Sequence, residues 1–467
     1  MLFSSITFLY YFLPITLLVY FVVPQRYKNV VLLIASFFFY FWGEPKYCIL
    51  MAAEILCGYI GGLQIAAFRR KEKGTKAITV FWIGIILALL GFFKYADFAI
   101  GTVNSLLGSE ISLLRVALPI GISFYSFQII SYLADVCKGD VPAEWNLLDF
   151  ATYVSMFPQL IAGPIVRFST VQKELKSRVI NMEKISAGIY RFVTGLVKKV
   201  LIADVLGAFI LETEGIADEN TFFLWIVAIA YALQIYYDFS GYSDMAIGLG
   251  SMLGFYFPEN FDHPYSAKSI TEFWRRWHMT LGGWFRDYVY IPLGGNRCSR
   301  LKFLRNVVVV WFLSGLWHGA DWNFVCWGLY FGVILIAEKI FLLKLLGKIP
   351  GVLQRMYTIA LVVISFVIFR FDDLSVAAVR LKGMLVPNFS AITELTGYQM
   401  RNYGFVLLLA MVGAFPIRKK ITEVLERKDA WIGCKVIFMP LLMVAAFVVV
   451  TAFLIQSSVH PFLYFRF

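Results

Sequence analysis

The chain contains, at residues 78–98, the stretch ITVFWIGIILALLGFFKYADF, and stretches of this kind decide the fold. A helix of about 20 apolar residues is long enough to cross the hydrocarbon core of a bilayer. Similar runs recur along the whole chain, and no soluble domain of useful size remains between them. Of the 467 residues, 60% are hydrophobic and 15% are charged, which differs strongly from soluble proteins. The sequence therefore predicts an all-α polytopic integral membrane protein that forms one domain over residues 1–467.

The apolar runs predict about 11–12 membrane spans, several of which are short for a simple crossing of the bilayer. They lie near residues 3–23, 29–42, 47–68, 78–98, 111–136, 187–211, 221–240, 306–319, 322–343, 357–371, 403–415 and 434–455. The central stretches 146–168 and 241–300 mix polar and apolar residues, which favours re-entrant or interfacial helices. Such backbone is tolerated at membrane depth only where protein or a cavity surrounds it.

The basic residues indicate the orientation of the chain in the membrane. The loop at residues 69–76, RRKEKGTK, is the densest short basic loop, so the positive-inside rule places it in the cytoplasm. Counting back three spans places the N-terminus outside. The net charge of +12 lies in loops that meet anionic headgroups, so we expect no nucleic-acid partner. The six cysteines are scattered without C-x-x-C pairing, which predicts neither a disulfide framework nor a metal site.

His318 is the first candidate for chemistry. It lies in the segment SGLWHGADWN, residues 314–323, between two apolar runs. An ionisable side chain at that depth is costly in lipid, so we expect it to face the protein interior and to be functional. A packing histidine bonded to a neighbouring carbonyl is the alternative that this segment alone leaves open.

His278 is the second candidate. It lies in SITEFWRRWHMTL, residues 269–281, where Ser269 and Glu272 match a capping box. This pattern predicts one helix over residues 270–283, ending at the Gly-Gly pair.

On such a helix, Trp274, His278 and Leu281 share one face. The prediction is an amphipathic interfacial helix with a histidine on its apolar side. The alternative is an aromatic anchor whose histidine only meets lipid headgroups.

A neutral imidazole in a weakly polar site can take the proton of an attacking hydroxyl, which acyl transfer from a thioester to an alcohol requires. The sequence contains no P-loop, no G-x-S-x-G elbow, no H-E-x-x-H and no clustered cysteine and histidine ligands. These absences argue against NTPases, hydrolases of those classes and zinc enzymes. No tightly bound cofactor or metal is expected.

Other side chains are candidates for substrate binding. Asp238 and Asp244 could orient an imidazole or bind an acceptor, or they could be structural caps at a helix break. Arg167 is a candidate phosphate contact for a coenzyme. The same holds for the basic cluster of Arg297, Arg300, Lys302 and Arg305, although such a cluster is also typical of cytoplasmic positive-inside charge. Trp317, next to His318, completes the candidates.

Several segments together resemble the membrane-bound O-acyltransferase family, and within it the bacterial alginate and peptidoglycan O-acetylation proteins. The segments are PIGISFYSFQ (119–128), FPQLIAGP (157–164), YDFSGYSD (237–244), FWRRWH (273–278), RDY (286–288), IPLGGNR (291–297), LWHG (316–319) and PFLYFRF (461–467). Each is a weak signal alone, but their order and spacing over nearly the full chain are specific.

The resemblance implies a single multi-helix domain in which a tunnel joins a cytoplasmic donor to an outer acceptor. It implies acetyl-CoA as the donor, His318 as the general base, and His278 as a second important residue. It further implies a polysaccharide acceptor, an extracytoplasmic acetyltransferase partner and a place in the bacterial cytoplasmic membrane.

Three alternatives stay open on the sequence. Within the family, the protein could transfer D-alanine from a carrier protein to teichoic acid, although IPLGGNR at residues 291–297 resembles the acetylation branch more. In other classes, it could be a permease or flippase without chemistry of its own, or a scaffold for a polysaccharide synthase.

Overall fold

A computed structural model describes residues 1–214, 220–417 and 429–456, and these residues form helices and no strands. The predicted all-α fold is confirmed for them. The segment at residues 461–467, which contributes to the family resemblance, lies outside the described residues. Five described helices are long and apolar enough to cross a membrane. They are Cys48–Arg70, Lys76–Leu107, Thr221–Met252, Gly351–Arg370 and Ile437–Gln456. The total number of spans stays a prediction.

The chain divides into two compact units, and each is described by itself. The first comprises Met1–Phe192 and Ser243–Pro258. After a π-helical turn at Phe8–Phe12, its helices are α1 (Leu13–Val22), α2 (Lys28–Gly43), α3 (Cys48–Arg70), α4 (Lys76–Leu107), α5 (Ile122–Lys138), α6 (Leu147–Ser155), α7 (Phe157–Leu160), α8 (Phe168–Lys176) and the first part of α9 (Met182–Val197).

The second unit comprises Val193–Tyr242 and Glu259–Phe467. Its helices are α10 (Asp204–Glu214), most of α11 (Thr221–Met252), α12 (Ile270–Trp274), α13 (Met279–Phe285), α14 (Arg300–His318), α15 (Trp322–Ala337), α16 (Leu343–Leu346), α17 (Gly351–Arg370), α18 (Leu374–Leu385), α19 (Glu394–Gly413) and α20 (Asp429–Gln456). Whether the units behave as one domain, as the sequence predicts, stays a prediction.

The expected span at residues 111–136 is shorter than predicted, because α5 begins only at Ile122. The preceding segment is not helical, and the carboxylate of Asp97 accepts hydrogen bonds from the backbone N–H groups of Leu114 and Val116. Gly121 adopts a left-handed backbone, with φ of 79°, directly before the helix. Side-chain acceptors therefore replace the helical hydrogen bonds that apolar composition alone predicts.

The two mixed central stretches have different structures. Over residues 146–168, the short helices α6 and α7 are buried inside the first unit, as a re-entrant segment requires. Over residues 241–300, the prediction is partly wrong, because α11 continues without a break to Met252. Only the segment after it contains short, irregular helices.

Helices α14 and α15 pack closely in the second unit because glycines lie at their contact. A Cβ atom at Gly315 would collide with the carbonyl oxygen of Phe324, and one at Gly328 would collide with the carbonyl oxygen of Trp311. Small residues of this kind let the backbones of membrane helices approach each other. The close approach holds the C-terminal end of α14, which carries His318, against α15.

We predict that Gly328→Ala destabilises the protein by about 1–3 kcal/mol, because the added methyl group must displace the backbone of α14. Thermal unfolding of the purified protein in detergent measures the effect. Gly84→Ala is the matched control, since nothing lies within 4 Å of its added Cβ. Equal melting temperatures for the two variants would contradict the proposed helix contact.

Candidate active site

The segment that carries His278 is not one helix. Helix α12 begins at Ile270 as predicted, but it ends at Trp274, and α13 begins at Met279. Between them, His278 adopts a left-handed backbone with φ of 44°. The predicted continuous helix, and with it the shared face of Trp274, His278 and Leu281, is wrong.

The start of α12 is fixed by a residue distant in sequence. The hydroxyl of Ser269 accepts a hydrogen bond from the N–H of Glu272 at 3.1 Å, which confirms the predicted N-cap. In addition, the buried carboxylate of Glu338 accepts the N–H groups of Ile270 at 2.7 Å and Thr271 at 2.8 Å. A negative charge at a helix N-terminus binds the N–H groups that have no partner within the helix. Glu338 therefore fixes α12 in place.

The imidazole of His278 lies in the protein interior. Its side chain is 1% exposed, and its ring packs edge-on against Phe239, with the ring centroids 4.6 Å apart. The indole of Trp317 lies on another side, at 5.7 Å between ring centroids. An anchor that meets lipid headgroups would be exposed, so the alternative role for His278 is wrong.

The side chain of Asn260 determines which nitrogen of His278 carries the proton. Its Oδ1 atom lies 3.1 Å from His278 Nδ1. The same oxygen accepts the backbone N–H of Thr280 at 3.3 Å and the Thr280 hydroxyl at 2.9 Å. Because a backbone N–H can only donate, the atom facing it is the amide oxygen and not the amide nitrogen.

It follows that His278 Nδ1 is the protonated nitrogen of the neutral ring and that Nε2 holds the lone pair. Nε2 is buried and has no hydrogen-bond partner among the described residues. Burial lowers the pKa of His278 well below its usual value, and the nearby charge of His318 lowers it further. The ring therefore stays neutral at physiological pH and presents a proton acceptor inside an aromatic site.

His318 is the last residue of α14 and is also buried, as its position between apolar runs predicts. Its ring packs edge-on against Trp317, Trp327 and Phe369, at 5.1, 4.8 and 5.7 Å between ring centroids. Asn323 anchors this wall by donating a hydrogen bond to the carbonyl oxygen of Phe369 at 3.2 Å.

The second unit thus brings together three of the predicted residues. The indole of Trp317 contacts the rings of both His278 and His318. A role for Trp317 in substrate binding stays a prediction. Two imidazoles in an aromatic, water-poor site can accept and return a proton, which is the chemistry of general base catalysis.

The two aspartates are structural ion-pair partners inside a continuous helix, and the predicted helix break is wrong. Asp238 pairs with buried Lys199 at 2.7 Å, and Lys199 also pairs with Asp204 at 2.6 Å. In the first unit, Asp244 pairs with Arg191 at 2.6 Å. These pairs neutralise charges that would otherwise be costly to bury. A role for either aspartate toward an imidazole or an acceptor stays a prediction.

The basic candidates lie on different elements. Arg167 belongs to the first unit and is half-buried at the start of α8. The four residues of the basic cluster at 297–305 are all exposed. In the first turns of α14, Asn306 is buried and donates to the carbonyl oxygens of Leu293 and Gly295 in the preceding loop. The loop therefore has a fixed shape, while its charges face outward.

Sequence reasoning missed Asn260 and Glu338. Asn260 is fully buried, yet it lies in a polar, proline-flanked stretch, PENFDHP at residues 258–264, that indicates only a loop. Glu338 follows an apolar helix and gives no hint that it reaches α12. A charged residue at the end of an apolar run is the one general signal that could have indicated Glu338.

The family model of the membrane-bound O-acyltransferases, MBOAT, matches residues 136–371, which include both histidines and Asn260. The chain belongs to the membrane-bound O-acyltransferase family. It is therefore an acyltransferase and a multi-pass membrane protein, as predicted.

Three relatives of this MBOAT chain carry informative names. A probable alginate O-acetylase of Pseudomonas putida is 41% identical over 100% of both chains. A peptidoglycan O-acetyltransferase of Helicobacter pylori is 36% identical over 85% of this chain and 82% of its own. A teichoic acid D-alanyltransferase of Streptococcus thermophilus is 27% identical over 48% of this chain and 58% of its own.

We predict that Asn260→Ala destabilises this MBOAT protein, because the buried His278 Nδ1 and two part-buried donors of Thr280 lose this acceptor. Each buried donor without a partner costs about 1–3 kcal/mol. Asn260→Asp keeps the accepting oxygen and should unfold close to the wild-type temperature. If thermal unfolding in detergent gives the opposite order, the assigned amide orientation is wrong.

Proposed function

We propose that the protein moves an acetyl group from cytoplasmic acetyl-CoA to an acceptor on the outer side of the bacterial cytoplasmic membrane, for O-acetylation of a cell-envelope polysaccharide or exopolysaccharide. The observation that carries the proposal is the pair of buried histidines around Trp317, of which His278 presents an unprotonated Nε2. The names of the P. putida and H. pylori relatives support acetyl transfer to a polysaccharide.

In the proposed reaction, His318 accepts the proton of the attacking hydroxyl while its oxygen bonds to the thioester carbon. The tetrahedral intermediate then expels the coenzyme A thiolate, which receives the proton from His318. His278 Nε2 accepts a hydrogen bond from the hydroxyl and orients it. The products are an acetyl ester and free coenzyme A.

The direction of transfer is supported by the ends of α14. This helix of 19 residues begins with the basic residues Arg300, Lys302 and Arg305 and ends at His318. At ~1.5 Å per residue the two ends lie ~27 Å apart, close to the thickness of a hydrocarbon core. The positive-inside rule assigns the basic end to the cytoplasm, so His318 lies toward the outer side and the donor must reach across. The basic loop at residues 69–76, counted back over three spans, separately supports an N-terminus on the outer side.

The acceptor is either the sugar hydroxyl or a serine of an extracytoplasmic acetyltransferase partner that completes the transfer. Transfer of D-alanine is the weaker candidate, because the S. thermophilus relative aligns with 48% of this chain and the P. putida relative with all of it.

We predict that His318→Ala lowers the O-acetyl content of the envelope polysaccharide about 100-fold or more, since general base catalysis contributes about 10²–10⁴ in rate. The chain is expressed with its neighbouring genes at matched membrane levels. His263→Asn is the matched control, because His263 is part-exposed and its φ of 43° is tolerated by asparagine. Unchanged acetylation in His318→Ala would exclude His318 as the general base.

We predict that His278→Asn also reduces acetyl transfer while the protein stays folded. Asparagine tolerates the left-handed backbone at this position, whereas His278→Ala adds backbone strain of about 1–2 kcal/mol. The measurement is release of free coenzyme A from acetyl-CoA by the purified protein, beside a thermal melt of each variant. Wild-type turnover in His278→Asn would show that the imidazole is dispensable.

A further inference from the structure

Two cations of the first unit are buried without a carboxylate partner. Lys28, at the start of α2, is 8% exposed, and Arg178, after α8, is 6% exposed. Neither forms an ion pair with any described residue, whereas the buried Lys199 of the second unit pairs with two aspartates. Buried charges in proteins are normally paired or hydrogen-bonded to charged groups, because removing an ion from water costs several kcal/mol.

The same tyrosine ring lies beneath both cations. Lys28 Nζ is 4.3 Å and the Arg178 guanidinium carbon is 5.6 Å from the centroid of Tyr20. Phe255 covers a further side of Arg178 at 4.6 Å. Two like charges therefore share one aromatic platform, which is unfavourable unless a negative charge compensates them.

The hydrogen bonds of the two cations go to neutral oxygens. Lys28 donates to the carbonyl oxygen of Tyr20 at 2.7 Å. Arg178 donates to the side chain of Asn29 at 2.6 Å and to the carbonyl oxygen of Glu174 at 3.3 Å. The Nε–H of Arg178 is buried and donates to no acceptor among the described residues.

Two nearby carboxylates pair with Lys176 and not with Lys28 or Arg178. Asp149 accepts a hydrogen bond from Asn29 at 2.6 Å and pairs with Lys176 at 2.7 Å. Glu144 pairs with the same lysine at 2.7 Å. Burial lowers the pKa of Lys28, and the charge of Arg178 lowers it further. Glu174, four residues before Arg178, has a buried carboxylate oxygen that is hydrogen-bonded to neither cation. Lys28 and Arg178 therefore have no carboxylate within ion-pair distance among the described residues.

We propose that Lys28 and Arg178 bind a phosphate group at the cytoplasmic face of the first unit. A guanidinium and an ammonium together suit a tetrahedral oxyanion, and the aromatic rings of Tyr20 and Phe255 exclude water from it. The basic loop that ends at Lys28 lies in the cytoplasm by the positive-inside rule, which gives the site access to cytoplasmic phosphates. Lys28 and Arg178 belong to the first unit, whereas the two histidines belong to the second.

The phosphate can come from two sources, an anionic phospholipid headgroup or the phosphates of a coenzyme A donor. The second source rests on the proposed function, and the first does not. Because both ligands are available in pure form, direct binding to the purified full-length protein separates them without any measurement of acyl transfer.

The experiment measures binding in neutral detergent by native mass spectrometry. The probes are phosphatidylglycerol with phosphatidylcholine as the zwitterionic reference, and coenzyme A with 3′-dephospho-coenzyme A. We expect Lys28→Met and Arg178→Met each to lower the affinity for one of the two anionic ligands about tenfold or more. This is the loss expected for a charged hydrogen bond. Arg26→Met is the matched control, since it removes an exposed charge from the same loop.

Thermal unfolding distinguishes binding from a purely structural role. Removing one of two like charges should leave Lys28→Met as stable as the wild type without ligand, and phosphate ligands should then stabilise only the wild type. Should Arg178→Met fail to fold, Lys28→Met and the charge-preserving Lys28→Arg carry the test.

Loss of phosphatidylglycerol binding alone identifies a lipid site, and loss of coenzyme A binding alone identifies a donor site. The proposal is overturned if neither anionic ligand binds, or if Lys28→Met binds both as tightly as Arg26→Met does. A protein that binds phosphate here but does not transfer acetyl groups would refute the proposed function and leave this site intact.

Discussion

The carboxylate of Glu338 at the N-terminus of α12 is the contact on which the candidate active site depends. It binds the N–H groups of Ile270 and Thr271 and so fixes where the chain enters the aromatic core of the second unit. Five residues later the helix ends, and the left-handed backbone at His278 turns the imidazole inward. The Ser269 cap is the local contact at this start, and Glu338 adds to it because one turn of helix is unstable by itself.

Asn260 determines which nitrogen of His278 carries the proton. A histidine buried among aromatic rings could hold its proton on either nitrogen, and the two forms have opposite hydrogen-bonding properties. The backbone N–H of Thr280 decides between them, since it requires an oxygen at the amide of Asn260. A main-chain group thereby determines which nitrogen of His278 can accept a proton, even though it is not itself in the pocket.

Buried charge is handled differently in different parts of the molecule. Lys199 with Asp238 and Arg191 with Asp244 are compensated pairs, which explains why their aspartates lie within an unbroken helix. Lys28 and Arg178 lack such compensation, and carbonyl oxygens and aromatic faces hold them instead. A buried charge without an ion pair is energetically costly, so it points to a bound ligand. The ion-paired charges, by contrast, indicate a structural role.

The sequence by itself determined the membrane class, the helices, the burial of His318 and the N-cap at Ser269, because apolar run length and capping are local properties. The family motifs added both histidines. Only the tertiary structure decided that α12 stops at Trp274 and that Asp238 and Asp244 are ion-paired. It also decided that Asn260 hydrogen-bonds His278 and that Glu338 binds the N-terminus of α12. Those outcomes depend on hydrogen bonds and charge pairs between residues far apart in the chain, and periodicity in one segment carries no information about them.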